Sequence, residues 1–182
     1  RHQPISASTA ARRTDSAEAR DALSDAQKRV AAIAVVHEIL SKEFDTSVRF
    51  DDVADRLLTM VREVAATSQV TMQREGSFGF IPAVVATSLS LVLTEVTQNA
   101  IEHGLRDGAG SVTVRAEQRD GRLVVEVLND GTPVASDFRV EDSDSLGLSI
   151  VAALVADLDG EFEIAPRPDA SGSRALITIP IA

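Results

Sequence analysis

Residues 89–105, LSLVLTEVTQNAIEHGL, constrain the fold of this chain more than any other stretch. Placed at about 100° per residue, Leu89, Val92, Leu93, Val96 and Ala100 fall on one helical face. Glu95, Asn99 and His103 then stack one per turn along the edge of that face. A helix with so much apolar surface has to bury it against a second layer. The polar row is either a solvated boundary or a row that faces a ligand. Asn and His are poor helix-interior residues unless their side chains find partners, so the surrounding motifs have to decide.

Upstream, residues 51–66 read as an amphipathic helix with Val53, Leu57, Leu58, Met60, Val61 and Val64 apolar and with Asp51 and Asp52 suited to its positive end. VTMQREG at 70–76 alternates like an edge strand, and Ile81-Pro82 opens the long helix, which stops at Gly104. SVTVRAEQ and RLVVEVLND are strands joined through Asp120-Gly121, a hairpin pair. The stretch 132–145 is polar and aperiodic and reads as a long loop. A helix over LGLSIVAALVADL and the strands GEFEIAP and SRALITIPI follow. Strands and helices mix without strict alternation, which predicts an α/β sandwich with a mixed sheet rather than a doubly wound parallel one.

Residues 16–43 carry Leu23, Ala26, Val30, Ile33, His37 and Leu40 at alternating spacings of three and four, the seam of a coiled coil or helical bundle. Such a seam should not stay exposed, and it predicts a homodimer through 16–43. The expected organisation is one dimerisation-type helix in 1–45 and a compact domain in 46–182. With 3% aromatic residues, all Phe, the core must be aliphatic. The absence of cysteine removes thiol chemistry and disulfides. A net charge of −10 argues against a nucleic-acid partner. No uninterrupted apolar run approaches the roughly 20 residues of a membrane span, and the chain reads as cytoplasmic. Its start at Arg1 rather than Met reads as a piece of a longer protein.

TEVTQNAIEHG resembles the N box of the Bergerat-type (GHKL) ATP-binding domains, in which Glu, Asn and a basic residue recur four apart. The resemblance implies a two-layer α/β sandwich binding ATP with Mg²⁺. It implies Asn99 as the Mg²⁺ ligand, His103 near the phosphates and Glu95 as the catalytic position. Mg²⁺ prefers oxygen ligands and keeps waters and phosphate oxygens around it. LNDGTPV resembles the next motif, Asp-x-Gly-x-Gly, with Asn129 at the adenine-reading Asp, Gly131 at the first Gly and Pro133 at the second. Either Asn129 or Asp130, one residue on, reads the adenine. Gly147 and Leu148 of SLGL resemble the motif at a helix mouth, where amides bind anions. Gly172 and Ser173 resemble the last Gly-Thr box. The loop 132–145, between Gly131 and Gly147, with Asp137, Glu141, Asp142 and Asp144, is expected to be a mobile lid, and Arg139, its only cation, to reach the phosphates.

The N-terminal ARRTDSAEARDALSDAQKRVAAIAVVHEILS resembles the later part of the dimerisation domain in PdtaS-like sensor histidine kinases, as do NDGTP and SDSLGLSIV. This implies transfer of the ATP γ-phosphate to a histidine and then to a response regulator. The alternatives are an anti-sigma-factor type serine kinase, which begins almost directly with the ATP domain, and a non-catalytic nucleotide-binding module. The acceptor box His-x-Arg-x-Lys-Asn of those kinases has no counterpart in the 182 residues. Phosphoryl transfer depends on holding an acceptor in line, so this stretch is expected to bind nucleotide without phosphorylating itself. Incubation with γ-labelled ATP should leave no acid-labile, alkali-stable label. A stoichiometric label lost in His37→Gln would contradict this.

Overall fold

The computed structural model describes residues 47–64, 69–105, 109–168 and 170–181, together with Val30 and Ala34, both helical. The helix expected over 16–43, its seam and its self-association otherwise lie outside the described residues. Five strands form the main sheet: β2 (Gln69–Gly76), β4 (Ala109–Arg119), β5 (Arg122–Asn129), β6 (Glu161–Pro166) and β7 (Ser173–Pro180), in the order β2-β4-β5-β7-β6. β2 runs parallel to β4 and every other pairing is antiparallel. The sheet is therefore mixed, and β2 is an edge strand, as its alternation predicts. Asp120 (φ 52°) and Gly121 (φ 73°) both adopt left-handed backbone between β4 and β5, the conformation that a two-residue hairpin turn requires.

Leu123, Val125, Val127, Ala175, Ile177 and Ile179 line the inner face, and three helices cover it: α1 (Phe50–Val64), α2 (Ala83–Asn99) and α3 (Leu146–Asp157). Neighbouring positions on the outer face carry ion pairs, Arg115 with Glu75 (2.6 Å) and Arg174 with Glu126 (3.5 Å). One packed face and one charged face make a two-layer α/β sandwich, the architecture expected. α2 with the turn that extends it, Ala83–Gly104, has the length and apolar content of a membrane span. Here Leu89, Val92, Leu93 and Val96 share the sheet's core and α2 packs between α1 and α3, so the apolar surface is spent inside the fold.

Two features escape the pattern reading. Ser47–Arg49 is a short strand, β1, antiparallel to β3 (Phe80–Pro82), and three residues are too few to show alternation. α2 also does not end as an α-helix: Ala100–Gly104 is a π turn, a form often found at functional sites.

Asp51 does more than complement a helix end. Its carboxylate accepts hydrogen bonds from the Phe78 amide (3.0 Å), the Gly79 amide (3.1 Å), the Ser77 hydroxyl (2.8 Å) and Arg74 (2.8 Å), so it ties α1 to the β2–β3 connection. Burial alone would raise its pKa, but the Ser77 hydroxyl, the two amides and the Arg74 charge outweigh it and hold it below the ordinary carboxylate value. A depressed folded-state value gives stability that is complete above the unfolded value near 4 and is lost as pH falls through the folded one. Asp51→Ala should lower unfolding free energy by about 2 kcal/mol at pH 7, and the gap should close in acid. Equal urea midpoints for the two proteins at pH 7 would contradict this.

Candidate nucleotide site

A cavity of about 290 Å³ opens between the end of α2, the ends of β5 and β7 and the loop that follows β5. Val96, Val127, Ile164, Leu148 and Ala175 form its apolar wall, and Asn99, His103, Asn129, Ser143, Ser145 and Ser173 supply polar groups. Apolar walls with a few convergent polar groups are the usual make-up of a small-molecule site, and the volume lies near the lower end of the ~300–1,000 Å³ common for them.

Asn129 is the innermost of the polar set, with 4% of its surface exposed. Its Oδ1 accepts from the backbone amides of Gly131 (3.2 Å) and Ser173 (3.3 Å). Three glycines close around this residue. A Cβ on Gly104 would lie 2.6 Å from the Asn129 amide group, one on Gly172 would overlap the Asn129 carbonyl, and one on Gly131 would overlap the Gly104 carbonyl. Gly172 also holds φ at 98°, backbone that side-chain-bearing residues avoid. The Thr132 amide donates to the Gly104 carbonyl (2.9 Å), and the Val134 amide donates to the Ser173 hydroxyl (2.9 Å). The π turn, the β5 end, the loop and the start of β7 are thereby fastened to one another at this residue.

Asp130, the other candidate for reading a base, points elsewhere. It accepts from the Ser111 amide (2.8 Å) and hydroxyl (2.6 Å), and those two bonds hold its carboxyl below the ordinary value against the effect of burial. Asn99 and His103 both line the cavity. The Asn99 NH₂ is buried there without a hydrogen-bond partner, an arrangement that normally implies a ligand or water. Glu95 is buried beside them but does not line the cavity; a Cβ on Gly147 would sit 2.6 Å from its Oε2. The motif at the mouth of α3 thus packs on the N-box carboxylate, with Leu148 reaching the cavity. Arg139 is exposed, paired with Glu141 (3.5 Å) and Asp142 (4.0 Å), and does not line the cavity. Within the long loop, Val140–Asp142 forms a short 3-10 turn.

Two contributors lie outside the sequence reading. The Ser145 hydroxyl caps α3 by accepting from the Leu148 amide (3.4 Å); a Ser directly before an apolar helix is a signal that could have been read. Arg167 donates to the Asn129 carbonyl (3.2 Å), and nothing local in the sequence announces that contact. No cluster of three His, Cys, Asp or Glu side chains able to hold a metal exists among the described residues. The donor set fits an Mg²⁺ carried mainly by phosphate oxygens and water with one Asn oxygen, because an Asn amide can turn either end to a ligand. It does not fit a dedicated metal cage.

Comparison with known proteins gives the chain's family and its fold relatives. Residues 84–182 match the family described as "Histidine kinase-, DNA gyrase B-, and HSP90-like ATPase", and residues 6–65 match one described as "Histidine kinase". The sensor histidine kinase PdtaS of Mycobacterium tuberculosis is 41% identical over 175 residues, 94% of this chain and 35% of that protein. The chain thus spans about a third of the length of that relative. In fold it is similar to the histidine kinase domain of the Erythrobacter litoralis EL346 blue-light activated histidine kinase. There the TM-score is 0.74 at 21% identity, covering 86% of this chain and 75% of that one. It is also similar to histidine kinase ThkA in complex with the response regulator TrrA, with a TM-score of 0.63 at 21% identity, covering 82% of this chain and 47% of that one.

Proposed function

The chain belongs to the histidine kinase-, DNA gyrase B- and HSP90-like ATPase family, and from that footing we propose that it is the ATP-binding catalytic part of a bacterial sensor histidine kinase. In this reading 46–182 binds ATP, a histidine on a dimerisation region accepts the γ-phosphate, and a response regulator takes it next. The convergence of Asn99, His103, Asn129 and Ser173 on one cavity carries the proposal. The match of residues 6–65 to a histidine kinase region favours it over a serine kinase that begins with its ATP domain. Self-association through 16–43 and a cytoplasmic location belong to the same proposal.

Each residue then has a physical task. Val96, Val127, Ile164 and Ala175 enclose the base and exclude water from it, and Asn129 holds its edge. His103, exposed at the mouth, meets the phosphates. Asn99 would hold Mg²⁺, whose charge offsets that of the triphosphate. Glu95 stays buried against Gly147 and fixes where α3 begins, so that Leu148 and the helix mouth face the ligand. The loop 132–145 acts as the lid, anchored at its start by the Thr132 and Val134 amides. Arg139 would have to leave Glu141 and Asp142 to reach a phosphate. Its 70% side-chain exposure makes that exchange cheap, since exposed ion pairs are worth about 0–1 kcal/mol.

Calorimetric titration with ATP tests the assignment. Wild type should bind more tightly with Mg²⁺ than with EDTA, and Asn99→Ala should lose at least tenfold in the presence of Mg²⁺, closing that gap. An unchanged Mg²⁺ dependence in Asn99→Ala would remove Asn99 as the ligand.

A further inference from the structure

We propose that this pocket does not select adenine over 6-oxopurines, and that it takes guanosine and inosine triphosphates on a par with ATP. The inference rests on the reading of the cavity as a nucleotide site and adds to it the identity of the base-reading group.

The orientation of the Asn129 amide follows from its neighbours. Two backbone N–H groups, of Gly131 at 3.2 Å and Ser173 at 3.3 Å, point at one end of it. Both are donors, so that end must be the oxygen; turning the amide over would set NH₂ against two N–H groups. With Oδ1 committed, the NH₂ is the half left to a ligand. A purine contact at this point therefore meets a hydrogen-bond donor.

The serine hydroxyls that line the cavity are already engaged with the protein: those of Ser143 and Ser145 accept from the amides of Ser145 (3.2 Å) and Leu148 (3.4 Å). The Ser173 hydroxyl already accepts from the Val134 amide (2.9 Å) and donates to the Thr132 carbonyl (3.4 Å). The Asp130 carboxylate, the charged acceptor closest in sequence, is held by the Ser111 amide and hydroxyl on β4. Both purines offer a donor something to bind. Guanine and hypoxanthine present O6, while adenine presents ring nitrogens beside its N6 amino group. That amino group, the feature that marks adenine, is itself a donor and gains nothing from an NH₂. A site discriminates strongly only where the wrong ligand would leave one of the site's own buried groups unpaired. Either class of purine gives the Asn129 NH₂ an acceptor, and the N1–H of the 6-oxopurines, like the adenine amino group, turns to water or to other groups at the cavity.

The test is calorimetric titration of the chain with ATP, GTP and ITP in Mg²⁺, with Asn129→Asp alongside. The carboxylate of Asn129→Asp can accept from the same two amides and offers its second oxygen to the base. In wild type, GTP and ITP binding within tenfold of ATP is the expected result, and Asn129→Asp should move the ratio at least tenfold toward ATP. ATP binding more than tenfold tighter than either 6-oxopurine in wild type would overturn the proposal, as would a ratio that Asn129→Asp leaves unchanged. Binding of none of the three would instead overturn the nucleotide reading on which it rests.

Discussion

A buried side-chain amide at the end of a central strand has to be satisfied by its surroundings, and most of the site follows from how Asn129 meets that demand. The strand end lies between the π turn of α2 and the start of β7, both of which must come within van der Waals contact of it. Gly104 and Gly172 make that approach possible because neither carries a Cβ. The two amides that pair with Oδ1 belong to the loop after β5 and to β7 itself, so one side chain fixes the relative positions of three segments. Satisfying the polar group and shaping the cavity are the same act.

The π turn supports this arrangement. An unbroken α-helix would carry His103 in line with Glu95 and Asn99, one turn apart along one edge. The wider turn over Ala100–Gly104 changes that register and brings the Gly104 carbonyl to the Thr132 amide. Upstream, α2 is secured by burial: Leu89, Val92, Leu93 and Val96 are each at most 2% exposed, worth roughly 1.5–3 kcal/mol per large apolar side chain. Rigid burial on one side and an irregular turn on the other let the same helix serve as core and as cavity wall.

Much of this was legible in the sequence because it rests on periodicity and turn chemistry. The apolar face of residues 89–100, the Asp120-Gly121 hairpin and the alternation of β7 each follow from local spacing, and together they give the two-layer sandwich. The convergence of Asn99, His103, Asn129 and Ser173 was legible only through the order of the motifs, since no spacing rule joins residues 74 positions apart. What stayed hidden depends on tertiary contact. Asp130 is held by the Ser111 amide and hydroxyl of β4, a contact that nothing in the local sequence announces. Gly147 reads as an anion-binding glycine at a helix mouth, and the room it leaves for the Glu95 carboxylate is visible only in the tertiary contact. Asp51 looked like a helix-end charge and is the acceptor for a whole connection.

The central claim, that a nucleotide binds against Asn129 between the π turn and the β5 and β7 ends, is tested most directly by amide NMR of the labelled chain titrated with ADP. The account predicts that the largest shifts fall on the backbone amides of Gly104, Gly131 and Ser173 and on the side-chain NH₂ of Asn129, with β2 and α1 unmoved. Saturable shifts that leave those four signals in place and cluster elsewhere would contradict it.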